Sequence, residues 1–581
     1  MTISLDSGGG YTGVSWKGSS ETSIHNIINT SACTFYAPLK SSLILSKGTG
    51  DPTWSRATKA WGFNELGYLE ELATDCAYFG GARLVRNQVS TSSENITSGG
   101  KTAVTTPDAT TVLCDVGNTF HYLFRGASGG AAIVGHTYLF KFRVQYVNHK
   151  VIQFFFPNTF FASKYANFDL ETGDLNNVSL DYINVVNVST GVWDVSYTGT
   201  VISAGTPSGI IGFVTNISSS RLSNYNAAGT EEFKILRVQI ENISSRPGQL
   251  NNEYVSVGVE ASPYFGAGID GAKYFETDWQ GAPIAAANLL GFRREAAATN
   301  NLLHSRDLSN AAWSTKTNIT AAKTATGLDG IANTATTLTA TAADAIILQP
   351  ITLASAARCA SAYVKRRTGT GTISFTQDGG STWTDITAQI NSSTWSRVQI
   401  TSTLANPSTG FKISTSGDAV DVDCIQNEAG AVATSPIVTT TATVTRNQDS
   451  LTYQLLSNLD DIAGTISVIT QPLVWTSGGA VGSVSNGLLL SAANSGVVGN
   501  DGTNTANGPA GSPTGTEKLA LRWGGGAMTA ASGGTLGTPG TYDGSLSLAN
   551  IGIGVGSYGY FNNVAIFNYT MTDAEQQAIT T

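Results

Sequence analysis

Residues 290–303 read LGFRREAAATNNLL, and a related segment, LGYLEELA, occupies residues 66–73. Both begin with Leu-Gly-aromatic, and with the glycines aligned they also share a glutamate and, two residues later, an alanine. A long segment rich in Val, Ile, Thr and aromatic residues follows each of them. Because self-similar segments mark repeated structural units, the pattern predicts that each one opens one of two related β-sandwich modules.

The composition of the 581-residue chain favours several domains built from β-strands. A single hydrophobic core stops growing at about 250–300 residues, so a chain of this length divides into domains. Charged residues make up only 13% of the sequence, hydrophobic residues make up 41%, and there are 64 glycines. This composition suits short strands joined by tight turns. We therefore expect an all-β fold of tandem antiparallel, jelly-roll-like β-sandwich modules with Gly/Ser-rich connecting segments.

Alternation of apolar and polar side chains gives the clearest strand predictions. Residues 138–146 alternate in this way, as expected of a strand with one buried face. The same alternation in residues 234–240 predicts three inward side chains, those of Leu236, Val238 and Ile240.

Five units are predicted along the chain. They are an N-terminal arm (residues 1–65), a first sandwich with its entry segment (66–262), an extended connector (263–289), a second sandwich (290–448) and a C-terminal jelly roll (449–581).

Charge and cysteine content exclude several classes of function. The net charge is −9, from 32 basic and 41 acidic residues, and no stretch clusters lysines and arginines with interleaved aromatic residues. Binding to nucleic acid is therefore not expected, because phosphate neutralisation needs a basic face. The five cysteines are widely spaced and form no Cys-x-x-Cys pair, which predicts buried free thiols and assembly in a reducing compartment.

Membrane insertion and secretion are not expected either. No segment contains the roughly 20 consecutive apolar residues that a membrane-spanning helix needs. The first residues, MTISLDSGGG, have neither the basic start nor the apolar run of a signal peptide.

Four segments in the second half of the chain carry a resemblance to a known family. They are NLLHSRDLSNAAW (301–313), SAYVKR (361–366), STWSRVQI (393–400) and IQNEAGAVATSPIVTTTATVTR (425–446). Together they resemble the carbohydrate-binding-module-like sandwich repeated in the tail fibres and other appendages of tailed bacteriophages. In that family the last strand carries Gln-x-Glu-x-Gly, followed by Thr-Ser-(Tyr/Pro)-Ile, which match residues 426–430 and 434–437 here. The first module closes with a looser version, Gln239-Ile240-Glu241, and the resemblance covers about residues 50–450.

The C-terminus carries a second resemblance. A strand-like segment at residues 559–569 precedes TDAEQQ at 572–577, in which Thr572 and Glu575 form a capping box that starts a short helix. This ending resembles that of laminin-G/concanavalin-like jelly rolls, and the resemblance implies sugar binding, frequently with calcium.

The resemblances imply a structural virion protein of a tailed bacteriophage rather than an enzyme. The leading expectation is a tail fibre or tail-associated receptor-binding protein that assembles in the host cytoplasm and resides in the virion. Its N-terminal region would attach to other virion proteins, its sandwiches would bind a host surface glycan, and the family implies a homotrimer. The first alternative is a capsid decoration protein or head fibre. A glycan depolymerase is a third hypothesis and would need a pair of carboxylates in a cleft.

Candidate site residues are few. Trp383, beside the predicted hairpin turn at residues 378–381, is a candidate platform for stacking against a sugar, with burial in the core as the alternative. Asp421 and Asp423 share one face of a predicted strand and could supply oxygen ligands to Ca²⁺, with a solvent-facing strand as the alternative. No other cofactor is expected.

No catalytic residues are predicted. None of the five histidines lies in a known catalytic motif. The adjacent carboxylates of Glu70 and Glu71 face opposite ways in a strand, so a structural role of Glu71 in the entry segment is favoured over an acid–base pair.

Overall fold

Three β-sandwiches make up the part of the chain that the structure describes. The structure is a computed structural model and describes residues 31–128, 133–246, 248–250, 252–474, 479–483, 487–493, 496–510 and 515–581. Its sheets are antiparallel, which confirms the predicted all-β sandwich fold. Residues 1–30 of the predicted N-terminal arm lie outside the described residues.

One sandwich, which we call the base sandwich, takes its strands from three separate parts of the chain. Its nine-stranded sheet contains, in spatial order, Thr535–Leu536, Ala527–Ser532, Glu517–Gly524, Gly464–Val474, Tyr558–Phe567, Gly291–Arg294 and Phe79–Gly80, with Cys33–Ala37 paired to Tyr558–Phe567 and Gly540–Thr541 paired to Ala527–Ser532. Its seven-stranded sheet contains, in order, Thr53–Ser55, Ser450–Tyr453, Ile551–Ile553, Gly479–Ser483, Gly487–Ala493, Gly496–Asn500 and Thr505–Asn507.

The base sandwich has a single core that draws on all three parts. Phe35, Phe292 and Ile566 are packed in the same cluster and are at most 1% exposed. The jelly roll predicted for residues 449–581 is therefore completed by strands from much earlier in the chain, including two that lie within the predicted N-terminal arm.

Sandwich I, residues 87–246, is inserted into the base sandwich. One six-stranded sheet contains, in order, Leu175–Asn176, Tyr165–Asp169, Val151–Phe155, Ser208–Phe213, Tyr122–Gly126 and Gly100–Thr102. The other contains Ile183–Ser189, Val192–Thr200, Thr137–Tyr146, Glu232–Asn242, Thr111–Cys114 and Val104–Thr105.

Sandwich II, residues 298–446, is a second insertion. One five-stranded sheet contains, in order, Thr315–Thr317, Ala345–Pro350, Ser408–Ile413, Ile373–Thr376 and Thr384–Asp385. The other contains Ile319–Ala325, Ala335–Ala340, Ala419–Ala429, Ala356–Thr368 and Ser396–Leu404.

Small ribbons and short helices complete the described chain. The two-stranded ribbons pair Ala60–Phe63 with Leu69–Leu72, Arg83–Arg86 with Ala272–Phe275, Gly117–Thr119 with Tyr225–Ala227, and Ala298–Asn300 with Val444–Arg446. The helices are the single 3₁₀ turns Ala286–Asn288 and Thr387–Gln389 and the α-helix Asp573–Thr580. The predicted capping box of Thr572 and Glu575 begins that α-helix. All five cysteines are buried free thiols, as expected.

The strand Glu232–Asn242 corrects one prediction. Ile235, not Leu236, points into the core together with Val238 and Ile240. The pairing with Thr137–Tyr146 shifts register at this point. A β-bulge adds one residue to a strand and so reverses the facing of the side chains before it, which the alternation pattern alone did not reveal.

The ribbon of Ala60–Phe63 and Leu69–Leu72 lies between the two inserted sandwiches. The Asn64 side chain donates to the carbonyl oxygen of Ser245 in sandwich I, at 2.8 Å. The backbone N–H of Leu69 donates to the carbonyl of Leu328 in sandwich II, also at 2.8 Å. The ribbon therefore connects the two inserted sandwiches.

Asn87 joins the entrance of sandwich I to its closing strand. Its side-chain amide donates to the carbonyl oxygens of Val238 and Val255, at 2.8 Å each. Its Oδ1 accepts from the backbone N–H groups of Val89 and Ile240. One buried side chain thus satisfies four backbone groups.

Asn300 makes the same set of bonds in sandwich II. Its amide donates to the carbonyl oxygens of Ile425 (3.1 Å) and Ile437 (2.9 Å). Its Oδ1 accepts from the backbone N–H groups of Leu302 and Asn427. The matching geometry shows that the two inserted sandwiches are structural repeats.

The Gln-x-Glu element also has the same role in both copies. Gln239 Oε1 accepts from the N–H of Val255 at 2.9 Å, and Gln426 Oε1 accepts from the N–H of Ile437 at 2.7 Å. The predicted relationship between the modules is therefore correct, and these residues carry it.

The entry segments at residues 66–73 and 290–297 are not equivalent, contrary to the prediction. Gly67 lies in the turn of a two-stranded ribbon, whereas Gly291 begins a strand of the nine-stranded sheet. Both glycines have positive φ, 80° and 100°. The shared Leu-Gly-aromatic triplet therefore reflects only the need for a glycine with positive φ. Two structurally unrelated segments have that need in common.

We expect Asn87→Ala and Asn300→Ala to lower the melting temperature by similar amounts. Each substitution leaves four buried backbone groups without their partner, and each unsatisfied group costs about 1–3 kcal/mol. Thermal unfolding followed by circular dichroism measures the change. Asn187→Ala, at an exposed strand position, is the matched control, and a melting temperature equal to the control's would contradict the assigned role.

Candidate glycan-binding surfaces

Trp383 lies at the hairpin between Ile373–Thr376 and Thr384–Asp385, at one end of sandwich II. The indole packs against Gly380, where an added Cβ would lie 2.8 Å from Cζ2, and glycine is favoured there because φ is 92°. The Lys412 ammonium is 5.4 Å from the ring centroid. The side chain is half-buried rather than part of the core, which supports the stacking-platform hypothesis.

Asp421 and Asp423 do share one face of the strand Ala419–Ala429, but both carboxylates are occupied. Arg306 donates to both oxygens of Asp423 at 2.8 Å, and Arg367 Nε donates to Asp421 Oδ1 at 2.8 Å. Both aspartates are at most 3% exposed. The alternative of a solvent-facing strand is therefore wrong, and the geometry favours a structural role over calcium binding.

The structure does not bring the three predicted site residues together. Trp383 directly precedes the strand Thr384–Asp385 of one sheet of sandwich II, whereas Asp421 and Asp423 lie in a strand of the other sheet. The described residues contain no group of three or more His, Cys, Asp or Glu side chains placed to hold a metal ion.

A row of aromatic side chains on sandwich I was not predicted. Phe124 and Phe155 both lie beside Ile210 on the outer face of one six-stranded sheet. The Phe124 ring is 40% exposed and lies over Gly100, where an added Cβ would come 1.9 Å from Cζ. Arg221 covers Phe155, with its guanidinium carbon 5.4 Å from the ring centroid.

The outward aromatic row had a detectable sequence signal. Residues 151–156, VIQFFF, form a nearly continuous apolar run rather than an alternating one. Such a run indicates a strand whose two faces are both covered. Phe154 lies in the core of sandwich I, while its neighbour Phe155 is buried on the opposite face.

Buried carboxylates surround the entrance to sandwich I, and arginines neutralise them. Arg86 and Arg246 both donate to Glu70, the latter at 2.6 Å. Arg246 Nη1 also lies 3.6 Å from Glu241, and Glu70 is 6% exposed. We call this group junction I. Glu71 faces the other way and is half-exposed, so Glu70 and Glu71 do not form an acid–base pair.

A second ionic cluster, junction II, lies at the entrance to sandwich II. Glu295 is 1% exposed and lies 3.3 Å from Arg293 Nε and 3.5 Å from Arg446 Nη1. Ser435 donates to it through its N–H (2.8 Å) and its hydroxyl (2.6 Å). Arg446 also pairs with Asp449, at 3.6 Å.

Electrostatics at junction II favour the charged form of Glu295. Burial alone would raise the pKa of this carboxyl group, but the arginines and the bonds from Ser435 outweigh burial and hold the pKa at about 2. Burial dominates at Asp449 and raises its pKa despite Arg446 and Arg56. The carboxylate of Glu295 therefore stabilises the folded state at neutral pH.

A narrow cavity lies beside junction I, lined by residues that include Gly62, Tyr78, Ala82 and Tyr274. It is too small to hold a sugar. No helix in the described ranges has the length and hydropathy required to cross a membrane.

We expect Glu295→Gln to destabilise the protein at pH 7 and to flatten the loss of stability in acid. Because the folded-state pKa is lowered, the contribution of Glu295 is complete above about pH 4.5 and is lost as the pH falls towards 2; the pKa difference corresponds to about 3 kcal/mol. Melting temperatures from pH 7 to pH 3 measure this. Glu71→Gln, at a half-exposed carboxylate, is the control, and parallel pH curves for wild type and Glu295→Gln would contradict the expectation.

Comparisons with known proteins give no further information about function. No family model and no curated protein matches the sequence. Among solved structures, the chain is similar to domain 4 of AbnA, a GH43 extracellular arabinanase from Geobacillus stearothermophilus, solved in complex with arabinotriose. The match has 16% identity and a TM-score of 0.19 and covers 23% of this chain and 73% of that chain. A likeness at this level carries no argument about function.

Proposed function

We propose that the chain is a structural protein of a tailed-bacteriophage virion, a tail fibre or tail-associated receptor-binding protein that presents its sandwiches to a host surface glycan. The sequence resemblance of residues 50–450 to phage appendage modules supports this proposal. The architecture supports it as well, because a display protein needs domains held in defined orientations.

The observation that carries the adhesive role is the placement of partly exposed aromatic rings, Trp383 at a hairpin and Phe124 on a sheet. Trp383 and Phe124 each lie against a glycine backbone, which leaves ring surface accessible. Aromatic rings contribute large contact areas at low cost in conformational entropy. Rings anchored on sheets lose little further freedom on binding, so more of the contact energy appears as affinity.

Attachment is assigned to the N-terminal region and its neighbours in the base sandwich. The strand Cys33–Ala37 pairs with Tyr558–Phe567, so the chain enters the described structure at the base sandwich. Contacts with other virion proteins would form there, and we propose a homotrimer, as the family resemblance implies. The inserted sandwiches would then be directed towards the host.

We expect the full chain to bind polysaccharide from the host cell surface and Trp383→Ala to weaken binding by roughly two- to tenfold, because an aromatic contact contributes about 0.5–1.5 kcal/mol. Phe124→Ala tests the surface on sandwich I in the same way. Glycan-array binding followed by isothermal titration calorimetry measures both. Trp279→Ala, at a partly exposed tryptophan of the connector, is the matched control.

Three outcomes would count against the adhesive proposal. The assigned surfaces would be contradicted if the protein bound no glycan. They would also be contradicted if Trp383→Ala, Phe124→Ala and Trp279→Ala had equal glycan affinities. Release of soluble sugar from host polysaccharide would instead support a depolymerase.

We expect antibodies against the chain to label the tail of intact particles in immunoelectron microscopy. The tail is where a receptor-binding protein meets the host surface. Antibodies against an unrelated capsid protein give the reference pattern for the head. Label confined to the capsid would contradict the tail assignment and support a decoration protein or head fibre.

A further inference from the structure

Lys141 and Asn252 meet where sandwich I closes. Lys141 lies in the central strand Thr137–Tyr146, and its Nζ donates to the main-chain carbonyl oxygen of Asn252, 111 residues away. Asn252 lies on the segment that returns from the strand Glu232–Asn242 to the base sandwich. The contact therefore links a core strand to the exit of the module.

The side-chain amide of Asn252 is held by two charged groups. Its Nδ2 donates to Glu241 Oε2 at 2.6 Å, and Arg83 Nη1 lies 3.5 Å from its Oδ1. Asn252 is 2% exposed and Glu241 is fully buried. The half-buried amine of Lys141 thus lies beside a buried amide and a buried carboxyl group.

Burial shifts the pKa values of the amine and of the carboxyl group in opposite directions. It lowers the pKa of Lys141, although Asp194 opposes this, and it raises the pKa of Glu241, although Arg246 opposes that. The neutral amine is the nucleophilic form of lysine. A buried carboxyl group with a raised pKa can both accept and return a proton.

We propose that Lys141 Nζ condenses with Cγ of Asn252 to form an intramolecular isopeptide bond, with Glu241 transferring the proton. The amine attacks Cγ, and the carbonyl oxygen takes the electron pair beside Arg83, which stabilises the developing charge. Glu241 accepts a proton from Nζ and delivers it to Nδ2. The Cγ–Nδ2 bond breaks and ammonia leaves, so one amide replaces another and nothing is oxidised or reduced.

Lys141 Nζ already contacts the residue that carries the Cγ to be attacked. The main-chain oxygen that Lys141 contacts and the Cγ of the same asparagine lie within roughly 5 Å through covalent geometry. The four-carbon stem of lysine is flexible, and its amine can rotate from the oxygen towards Cγ. Proximity of the two groups supplies the high effective concentration that such a reaction needs.

Sandwich II provides an internal control. Glu428, the counterpart of Glu241 in the Gln-x-Glu element, accepts from the N–H of Thr434 at 3.0 Å and from its hydroxyl. Arg397 donates to the main-chain oxygen of Thr434. Glu428 and Thr434 thus occupy the positions that Glu241 and Asn252 have in sandwich I. Because this site lacks both the amine and the side-chain amide, the bond is expected in sandwich I alone.

The bond would secure sandwich I at its exit. It would join the central strand to the returning segment and close a covalent loop around most of the module. A display protein that is pulled while attached to a surface would then keep this module folded. The chemistry is independent of the proposed glycan binding and can be tested separately.

Intact-mass spectrometry of the purified full chain tests the proposal. We expect the mass to fall below that of the sequence by one ammonia, about 17 Da, and tryptic digestion to yield one branched peptide containing Lys141 and Asn252. Lys141→Arg, Asn252→Ala and Glu241→Gln are each expected to have the full mass. Lys150→Arg, at a half-exposed lysine of the same sandwich, is expected to keep the loss.

Each outcome decides the question. Glu241→Gln retains both reacting groups and nearly the same volume, so a folded variant with full mass supports the assigned proton transfer. An unchanged mass loss in folded Glu241→Gln would overturn that role. A wild-type protein with the full mass and no branched peptide, or a loss that persists in Lys141→Arg, would overturn the bond itself.

Discussion

Two clusters of buried arginines and carboxylates hold the inserted sandwiches on the base sandwich. Glu70 with Arg246 does this at junction I, and Glu295 with Arg446 at junction II. A buried ion pair adds little net stability over an apolar contact, but removing one partner leaves a charge in a medium of low dielectric. Such pairs therefore tolerate few alternative arrangements, and they define where each sandwich can sit.

In each of the two repeated sandwiches, one asparagine side chain makes the same set of contacts. Asn87 and Asn300 satisfy equivalent backbone groups at the entrance, the closing strand and the returning segment. Because those three segments must meet at one point, the chain enters and leaves each module at the same end. An insertion of this kind leaves the base sandwich intact.

The candidate surfaces were partly predictable. Trp383 was identified because the Gly-Gly turn beside it has a local sequence signature. Asp421 and Asp423 were recognised as a same-face pair, but their arginine partners were not. Arg306 is 117 residues from Asp423, and Arg367 is 54 residues from Asp421. No local sequence pattern predicts which distant arginine will pair with a given carboxylate.

By itself the sequence determined the all-β class, several of the longer strands and the relationship between the two modules. Period-two alternation, turn glycines and the Gln-x-Glu element act over a few residues, so they can be recognised locally. Only the tertiary structure decided that the base sandwich is assembled from three parts of the chain. The pairing of Cys33–Ala37 with Tyr558–Phe567 joins residues more than five hundred positions apart. Backbone hydrogen bonds are the same for every residue type, so they do not specify which strand pairs with which. The partner of an edge strand is instead determined by how the side chains of the whole core pack.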